Sequence, residues 1–241
     1  MSSFCTSISW SIVALLAATT FAGGQTGMSA AIEIWYPGIR GAEALADILF
    51  GDVNPSGKLP ATFAKSEADL PHPELPGSQP APAGDASAGP GPGRGMMRGF
   101  DIDYTEGLKV GYKWFDAEAK EPLFPFGFGL SYTTYSYSGL KAGIDSVTFT
   151  VRNTGKRAGA EIAQVYVGLP AEAKEPPKRL AGWEKVRLAP GEARTVTVKL
   201  ESKFLSIFNE QKDDWELLPG EYKIFVGGSS RNTPLTASVK R

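Results

Sequence analysis

The chain has 241 residues, of which 42% are hydrophobic, and a formal net charge of −1, so it is long enough for one large or two modest soluble domains. Acidic and basic residues are interspersed, which argues against nucleic acid or an anionic membrane surface as a partner. With one cysteine, Cys5, and one histidine, His72, the sequence predicts no disulfide, no metal site and no cofactor.

Residues 1–24 form an apolar leader. The stretch 10–22 is too short to cross a bilayer, but it fits the central region of a secretory signal with a small-residue cleavage site at Thr20-Phe21-Ala22. Met1 to Ser11 contains no Lys or Arg, which such signals normally carry. Residues 1–24 are therefore a signal peptide, or else a buried strand or a misassigned leader, and the location is periplasmic or extracellular in the first case and cytoplasmic otherwise.

Residues 25–70 have an α/β pattern. Ala31 to Tyr36 has the period of a strand, and Pro37-Gly38 ends it. A helix is then expected, with Gly51 as its end. Its apolar stripe is predicted to consist of Ala42, Leu45, Ala46 and Leu49.

Residues 71–99 are rich in Pro, Gly, Ala and Ser and have almost no large apolar side chain, so they predict a mobile loop or linker. His72 lies in this segment without a second histidine or a nucleophile motif, which predicts a solvated loop residue.

Residues 100–134 are dense in aromatic residues with interleaved glycines, a composition that suits extended chain packed against a neighbour. Gly127-Phe128-Gly129 lacks the third glycine of a dinucleotide fingerprint and predicts a close-packed backbone crossing. Four acidic residues are spaced like surface residues that flank aromatic ones: Asp101, Asp103, Glu106 and Asp116.

Residues 135–241 alternate apolar and polar residues in seven short runs separated by turns, which is typical of an antiparallel sandwich. Asn153 to Lys156 is one of the predicted hairpin turns. The cysteine pair of immunoglobulin domains is absent, which favours a fibronectin type III-like form. The predicted fold class is thus mainly β, an immunoglobulin-like or fibronectin type III-like sandwich preceded by a small α/β remnant.

Three groups of phrases occur in a fixed order along the chain. The first consists of Trp35–Gly38 and Ala44–Pro60, and the second of Glu106–Leu108, Gly111–Asp116 and Pro122–Thr133. The third consists of Val151–Gly155, Ala163–Val167, Leu180–Val186 and Leu218–Tyr222. In this order they resemble three parts of the C-terminal region of family 3 glycoside hydrolases: the end of the α/β-sandwich domain, its link into the next domain, and the fibronectin type III-like domain.

This resemblance implies the C-terminal portion of a β-glucosidase-like hydrolase that acts on terminal β-linked glucose or related sugars. In that family the nucleophile comes from an N-terminal barrel and the acid/base typically from an upstream segment, so no catalytic residue is assigned here. The implied role is accessory or structural, without activity alone. The division it suggests is 25–70 for the end of the α/β sandwich, 71–99 for a linker, 100–134 for an interdomain segment and 135–241 for the fibronectin-like domain.

Tyr112 and Trp114 are the candidates for contact with an outer sugar of the substrate, although packing is the favoured interpretation of both. The expected partners are carbohydrate, reached through a parent enzyme or an associated chain, and either a barrel-containing polypeptide or a second copy. The aromatic stretch from Tyr104 to Tyr137 supports one alternative, a free-standing carbohydrate-binding or adhesive module. Whether the chain is a truncation, a split-enzyme subunit or an independent module stays open.

Overall fold

A computed structural model describes residues 13–15, 31–74 and 102–241. Most of the predicted leader and residues 75–99 of the predicted linker lie outside the described residues. Within those described ranges, no helix combines the length and the apolar character that crossing a membrane requires.

The C-terminal part is an antiparallel sandwich of a four-stranded and a three-stranded sheet, and all seven predicted strands are confirmed. The four-stranded sheet has the order β11-β10-β5-β6 and the three-stranded sheet the order β3-β4-β7. The strands are β3 (Tyr135–Ala142), β4 (Ser146–Asn153), β5 (Gly159–Gly168), β6 (Arg179–Leu188), β7 (Ala193–Lys199), β10 (Glu221–Gly227) and β11 (Leu235–Lys240).

The core lies between these sheets because alternate residues of each strand are apolar and point inward. Val147, Phe149 and Val151 of β4 are completely buried, and so are Val165 and Val167 of β5. Each such side chain contributes about 1.5–3 kcal/mol through removal from water. Seven strands can therefore form a stable unit without a disulfide.

Asn153, at the end of β4, organises the predicted turn with four hydrogen bonds. Its Oδ1 accepts from the Thr133 hydroxyl at 2.6 Å and from the backbone N–H of Gly155 at 3.0 Å. Its Nδ2 donates to the carbonyls of Arg157 at 2.7 Å and Leu188 at 3.2 Å. The side chain is fully buried, and these bonds offset the cost of burying an amide.

A small hairpin, β8 (Ile207–Asn209) with β9 (Asp214–Glu216), was not expected from the sequence. Each strand has only three residues, which is too few to show a period of two. The rings of Phe208 and Trp215 meet at 5.7 Å across it in an edge-to-face contact.

The α/β segment consists of β1 (Val13–Leu15), β2 (Ala31–Glu33) and α1 (Gly41–Phe50), and a second helix, α2 (Tyr112–Ala117), precedes the sandwich. β2 is shorter than the predicted Ala31–Tyr36 because Trp35 has a φ of 46°, which is incompatible with a strand. Helix α1 ends as predicted at Gly51, whose φ is 83°.

The predicted apolar stripe of α1 was wrong, because the buried side of the helix lies one residue away from it. The buried residues are Gly41, Ala44 and Ile48, while Leu49 is 61% exposed. Ala44 and Ile48 pack against Ile32, Ile34 and Tyr132, and the Tyr132 hydroxyl donates to the Ile48 carbonyl at 2.7 Å. Periodicity could not supply this contact partner, which lies 84 residues downstream.

We expect Phe149→Ala to lower the free energy of unfolding by about 3–5 kcal/mol, because it empties a completely buried site in the core. The matched control is Phe204→Ala, at a position 44% exposed, which should cost less than about 1 kcal/mol. Urea unfolding followed by tryptophan fluorescence gives both values. An equal decrease in the free energy of unfolding for the two variants would contradict the burial of Phe149 in the sandwich core.

Candidate functional site

The structure concentrates its long-range polar contacts where the α/β segment crosses the sandwich. We call this region the junction; it comprises residues 54–59 and 124–133. Leu59 and residues 127–128 form a backbone ladder, in which the Leu59 N–H donates to the Phe128 carbonyl and the Gly127 N–H to the Leu59 carbonyl, both at 2.8 Å. A side chain at Gly129 would overlap the backbone carbonyl of Gly57, which confirms the predicted close backbone crossing, and one at Gly127 would overlap the Gln164 amide.

Asn54 connects three segments through one side chain. Its Oδ1 accepts from the Ser131 hydroxyl and from the Tyr132 N–H, both at 2.8 Å. Its Nδ2 donates to the carbonyl of Ala158, in the turn before β5, at 3.0 Å. The loop after α1 is thereby attached to both the junction and the sandwich.

Lys58 and Glu161 form a largely buried ion pair across the junction. The Lys58 Nζ lies 3.1 Å from the Glu161 Oε1, and their side chains are 13% and 8% exposed. The Tyr137 hydroxyl donates to the same oxygen at 2.8 Å. Burial, followed by the neighbouring Glu161 carboxylate, raises the pKa of Tyr137 far above its ordinary value, so the phenol remains a donor.

Tyr112, the first predicted carbohydrate contact, lies at the start of α2 and faces the protein. Its hydroxyl accepts the Leu180 N–H at 2.7 Å. Its ring centroid lies 4.9 Å from that of Phe126 and 5.7 Å from that of Tyr166. Burial raises the pKa of Tyr112 to about 12. These contacts give the side chain a packing role, and its contact with sugar stays a prediction.

Trp114, the second predicted contact, joins α2 to the end of the α/β segment. Its indole N–H donates to the Asp69 carbonyl at 2.8 Å. The ammonium groups of Lys109 and Lys120 lie 5.8 Å and 5.4 Å from its ring centroid, within cation–π range. Its contact with sugar also stays a prediction.

Asp116 is a structural carboxylate, and its prediction as a surface residue was wrong. The side chain is 5% exposed and lies between Lys178 at 3.2 Å and Arg231 at 3.1 Å. The Arg231 guanidinium also donates to the carbonyls of Phe115 and Lys120. The cluster ties α2 to the segments that precede β6 and follow β10.

His72 is not a solvated loop residue, so that prediction was also wrong. Its Nε2 lies 2.7 Å from Glu106 Oε2, and the two side chains are 25% and 10% exposed. The hydrogen bond with His72 lowers the pKa of Glu106, which keeps the carboxylate charged. Sequence spacing could not reveal this pair because its members are 34 residues apart.

Three more carboxyl groups in the described ranges have lowered pKa values. The hydrogen bond with Arg40 lowers the pKa of Glu43. The Ala189 N–H, and then Arg194, lowers that of Glu192, and Lys212, and then Asn209, lowers that of Glu216. A general acid that works near neutral pH needs the opposite shift. These three groups and Glu106 therefore behave as ionised structural residues.

Two depressions border the junction. A cleft of about 580 Å³ lies between the loop after α1 and the sandwich, with Asp52, Lys185 and Arg187 among its lining residues. A groove of about 250 Å³ lies beside Trp183, whose side chain is 61% exposed, and its floor includes Leu180 and Phe126.

Comparison with known proteins accounts for this arrangement of a partial α/β segment on a sandwich. The family model described as the glycosyl hydrolase family 3 C-terminal domain matches residues 10–132, and a fibronectin type III-like domain model matches residues 161–230. The chain belongs to glycosyl hydrolase family 3. It is the C-terminal part of a β-glucosidase-like member of that family.

Beta-glucosidase B of Emericella nidulans is 38% identical over 215 residues, which are 85% of this chain and 24% of that protein. Thermostable beta-glucosidase B of Acetivibrio thermocellus is 39% identical over 219 residues, 87% of this chain and 26% of that protein. The crystal structure of beta-D-glucoside glucohydrolase from Trichoderma reesei matches with a TM-score of 0.74 and 31% identity, over 88% of this chain and 30% of that one. The chain spans about a quarter of the length of these curated relatives.

Sequence patterns missed the residues that hold the junction together. The clearest available signal was Glu161, which lies on the same side of β5 as Val165 and Val167, the side that faces the core. A carboxylate in such a row requires a buried cationic partner. That partner is Lys58, 103 residues earlier.

We expect Lys58→Met to lower the free energy of unfolding by about 3–5 kcal/mol, because it leaves the Glu161 carboxylate buried without its cation. The matched control is Lys212→Met, which breaks the pair with Glu216, where the side chains are 62% and 31% exposed. That control should leave the free energy of unfolding almost unchanged, because water screens an exposed pair. Chemical denaturation measures the free energy of unfolding of both variants. A small decrease for Lys58→Met would show that the ion pair does not stabilise the fold.

The His72–Glu106 contact predicts a pH-dependent stability difference between the wild type and His72→Ala. Because folding lowers the pKa of Glu106, its stabilisation is complete above the ordinary glutamate pKa of about 4.3 and is lost as the pH falls through the lowered value. The variant should therefore be less stable than the wild type at neutral pH, and the gap should narrow in strong acid. Urea unfolding across this pH range tests it; a gap that does not change with pH would contradict the assignment.

Proposed function

We propose that this chain is the accessory, non-catalytic part of a glycoside hydrolase that removes terminal β-linked glucose or a related sugar, and that it has no hydrolytic activity alone. The observation that carries the proposal is the burial and pairing of three carboxylates of this chain. Glu161, Asp116 and Glu106 are each 10% exposed or less, and each faces a cationic or histidine side chain of the same chain.

The chemistry of the reaction gives this observation its weight. Retaining cleavage of a glycosidic bond needs one carboxylate as the nucleophile and another as the acid/base, about 5–5.5 Å apart on either side of the bond. The acid must keep its proton near neutral pH, which requires a raised pKa. The buried carboxylates of Glu161, Asp116 and Glu106 are each engaged by a side chain of the same chain, which supports a scaffold rather than a catalyst.

Within that function, Tyr112 and Trp114 remain the residues that we propose for contact with an outer sugar. The Tyr112 hydroxyl and the Trp114 indole N–H already bond to backbone groups of the protein. Contact with sugar would therefore use the ring faces. We further propose the division into segments 25–70, 71–99, 100–134 and 135–241.

Export of the protein through residues 1–24 is a separate proposal. Removal of a signal peptide would delete Val13–Leu15, which pairs with Ala31–Glu33, whereas retention of these residues fits the family match that begins at residue 10. N-terminal sequencing of protein from the native host would decide between the two.

A second candidate function is a free-standing carbohydrate-binding module. It is favoured by Trp183, whose exposed indole borders the groove of about 250 Å³. Exposed aromatic rings suit the apolar faces of sugars because they combine a large apolar area with a polar edge. Adhesion to glycans would need no catalytic carboxylate.

The purified chain should not hydrolyse aryl β-glucosides above the level of a buffer blank. Hydrolysis that persists through purification and disappears on changing one Asp or Glu of this chain would refute the proposal. A glycan array run with the same preparation separates the second candidate. Specific binding that Trp183→Ala abolishes would favour the module, whereas a flat array would remove it.

A further inference from the structure

The cleft of about 580 Å³ beside the junction contains two cationic side chains that no carboxylate of the described residues neutralises. We call it the junction cleft; the loop after α1 forms one wall and the end of β6 the other. Lys185 and Arg187 lie on the β6 wall, and neither forms an ion pair within the described ranges. The cleft has the size of a ligand site, since such sites have volumes of about 300–1,000 Å³.

Strand geometry places the two cations side by side. Lys185 and Arg187 are two residues apart on β6, so their side chains leave the same face of the sheet about 7 Å apart. That face is the outer one, because Val186 between them points into the sandwich core. Their cross-strand neighbours on β5 are Ile162 and Ala160, which carry no charge. The strand pairing therefore brings no counter-ion to this wall.

The charges on the β6 wall favour a bound anion. Partial burial, followed by the neighbouring Arg187 charge, lowers the pKa of Lys185. Glu192 also lines the cleft, but its carboxylate already accepts from the Ala189 N–H at 2.8 Å and from the Arg194 guanidinium at 2.9 Å. An oxyanion between Lys185 and Arg187 would reduce their mutual repulsion and accept charge-assisted hydrogen bonds from both.

The opposite wall favours a ligand that has hydroxyl groups as well as a charge. Asp52 and Ser56 line this wall. A carboxylate accepts hydrogen bonds from hydroxyl groups, and a serine hydroxyl both donates and accepts. Asp52 would repel a bare inorganic anion or a polyanion, whereas hydrogen bonds from sugar hydroxyls would offset that repulsion. The two walls together therefore suit a polyol with one anionic group.

We propose that the junction cleft binds a sugar that carries one oxyanion, either a carboxylate or a phosphate, with the anion between Lys185 and Arg187. The hydroxyl groups of the sugar face Asp52 and Ser56. This inference goes beyond the proposed function, because the site binds without reaction and its ligand is charged. The site is also separate from the groove beside Trp183, which has other lining residues.

Isothermal titration calorimetry of the purified full chain tests the site with four probes: glucuronate, glucose 6-phosphate, glucose and inorganic phosphate. At least one of the two anionic sugars should bind about tenfold or more tightly than glucose and than inorganic phosphate. Binding of glucuronate alone would identify a carboxylate ligand, and binding of glucose 6-phosphate alone a phosphate ligand.

The variant Lys185→Gln/Arg187→Gln removes both charges and should lower the affinity for the anionic sugar by about tenfold or more. The matched control, Lys223→Gln/Lys240→Gln, removes two exposed charges from β10 and β11 and should bind within about twofold of the wild type. A second variant, Lys185→Arg/Arg187→Lys, keeps both charges and should lose less than about fivefold. Circular dichroism of each variant checks that it is folded, which is expected because all four positions are exposed.

The proposal is overturned if neither anionic sugar binds, or if glucose or inorganic phosphate binds as tightly as the better of them. It is also overturned if Lys185→Gln/Arg187→Gln binds as well as the wild type. None of these outcomes affects the claim that the chain is inactive alone, which the aryl β-glucoside assay tests separately.

Discussion

The arrangement of this molecule depends on one buried ion pair, Lys58 with Glu161, at a place where the backbones cross too closely for side chains. The Lys58 ammonium reaches Glu161 only because residues 57–59 lie against the sandwich, and glycines at 127 and 129 permit that approach. Burying an ion pair is costly unless its geometry is good and its remaining bonds are satisfied. The Tyr137 hydroxyl adds one of those bonds, and the backbone hydrogen bonds of Leu59 with Gly127 and Phe128 hold the two crossing segments together. A short α/β segment with little core of its own is thereby fixed to a stable sandwich.

The pairing of buried carboxylates with side chains of the same chain gives these groups structural roles and supports the proposal that the chain is a scaffold. Glu161 joins the α/β segment to the sandwich, and Asp116 joins α2 to the sandwich. Glu106 pairs with His72. Each of these side chains has its partner within the chain. The sandwich supplies the stability, and the junction fixes the α/β segment to it.

The sandwich was predictable from the sequence because each strand shows its own period of two, and the seven strands appear where the alternation places them. The family was predictable because phrases such as Ala44–Pro60 occur in a fixed order, and because glycines and aromatic residues recur where the backbone crosses closely. The buried face of α1, the partner of His72 and the burial of Asp116 were not predictable. Each is decided by a contact with a residue distant in sequence, and local periodicity carries no information about such contacts. The β8–β9 hairpin was too short to show a pattern.

Trapping with a mechanism-based glucoside tests most directly the central claim that the carboxylates of this chain are structural. A 2-deoxy-2-fluoro-β-glucoside with a good leaving group forms a long-lived covalent ester with the nucleophilic carboxylate of a retaining glycosidase. Intact-mass spectrometry of the purified chain after this treatment should show no added sugar, whereas a full-length retaining β-glucosidase treated in parallel should gain one. A stoichiometric adduct on an Asp or Glu of this chain would contradict the account.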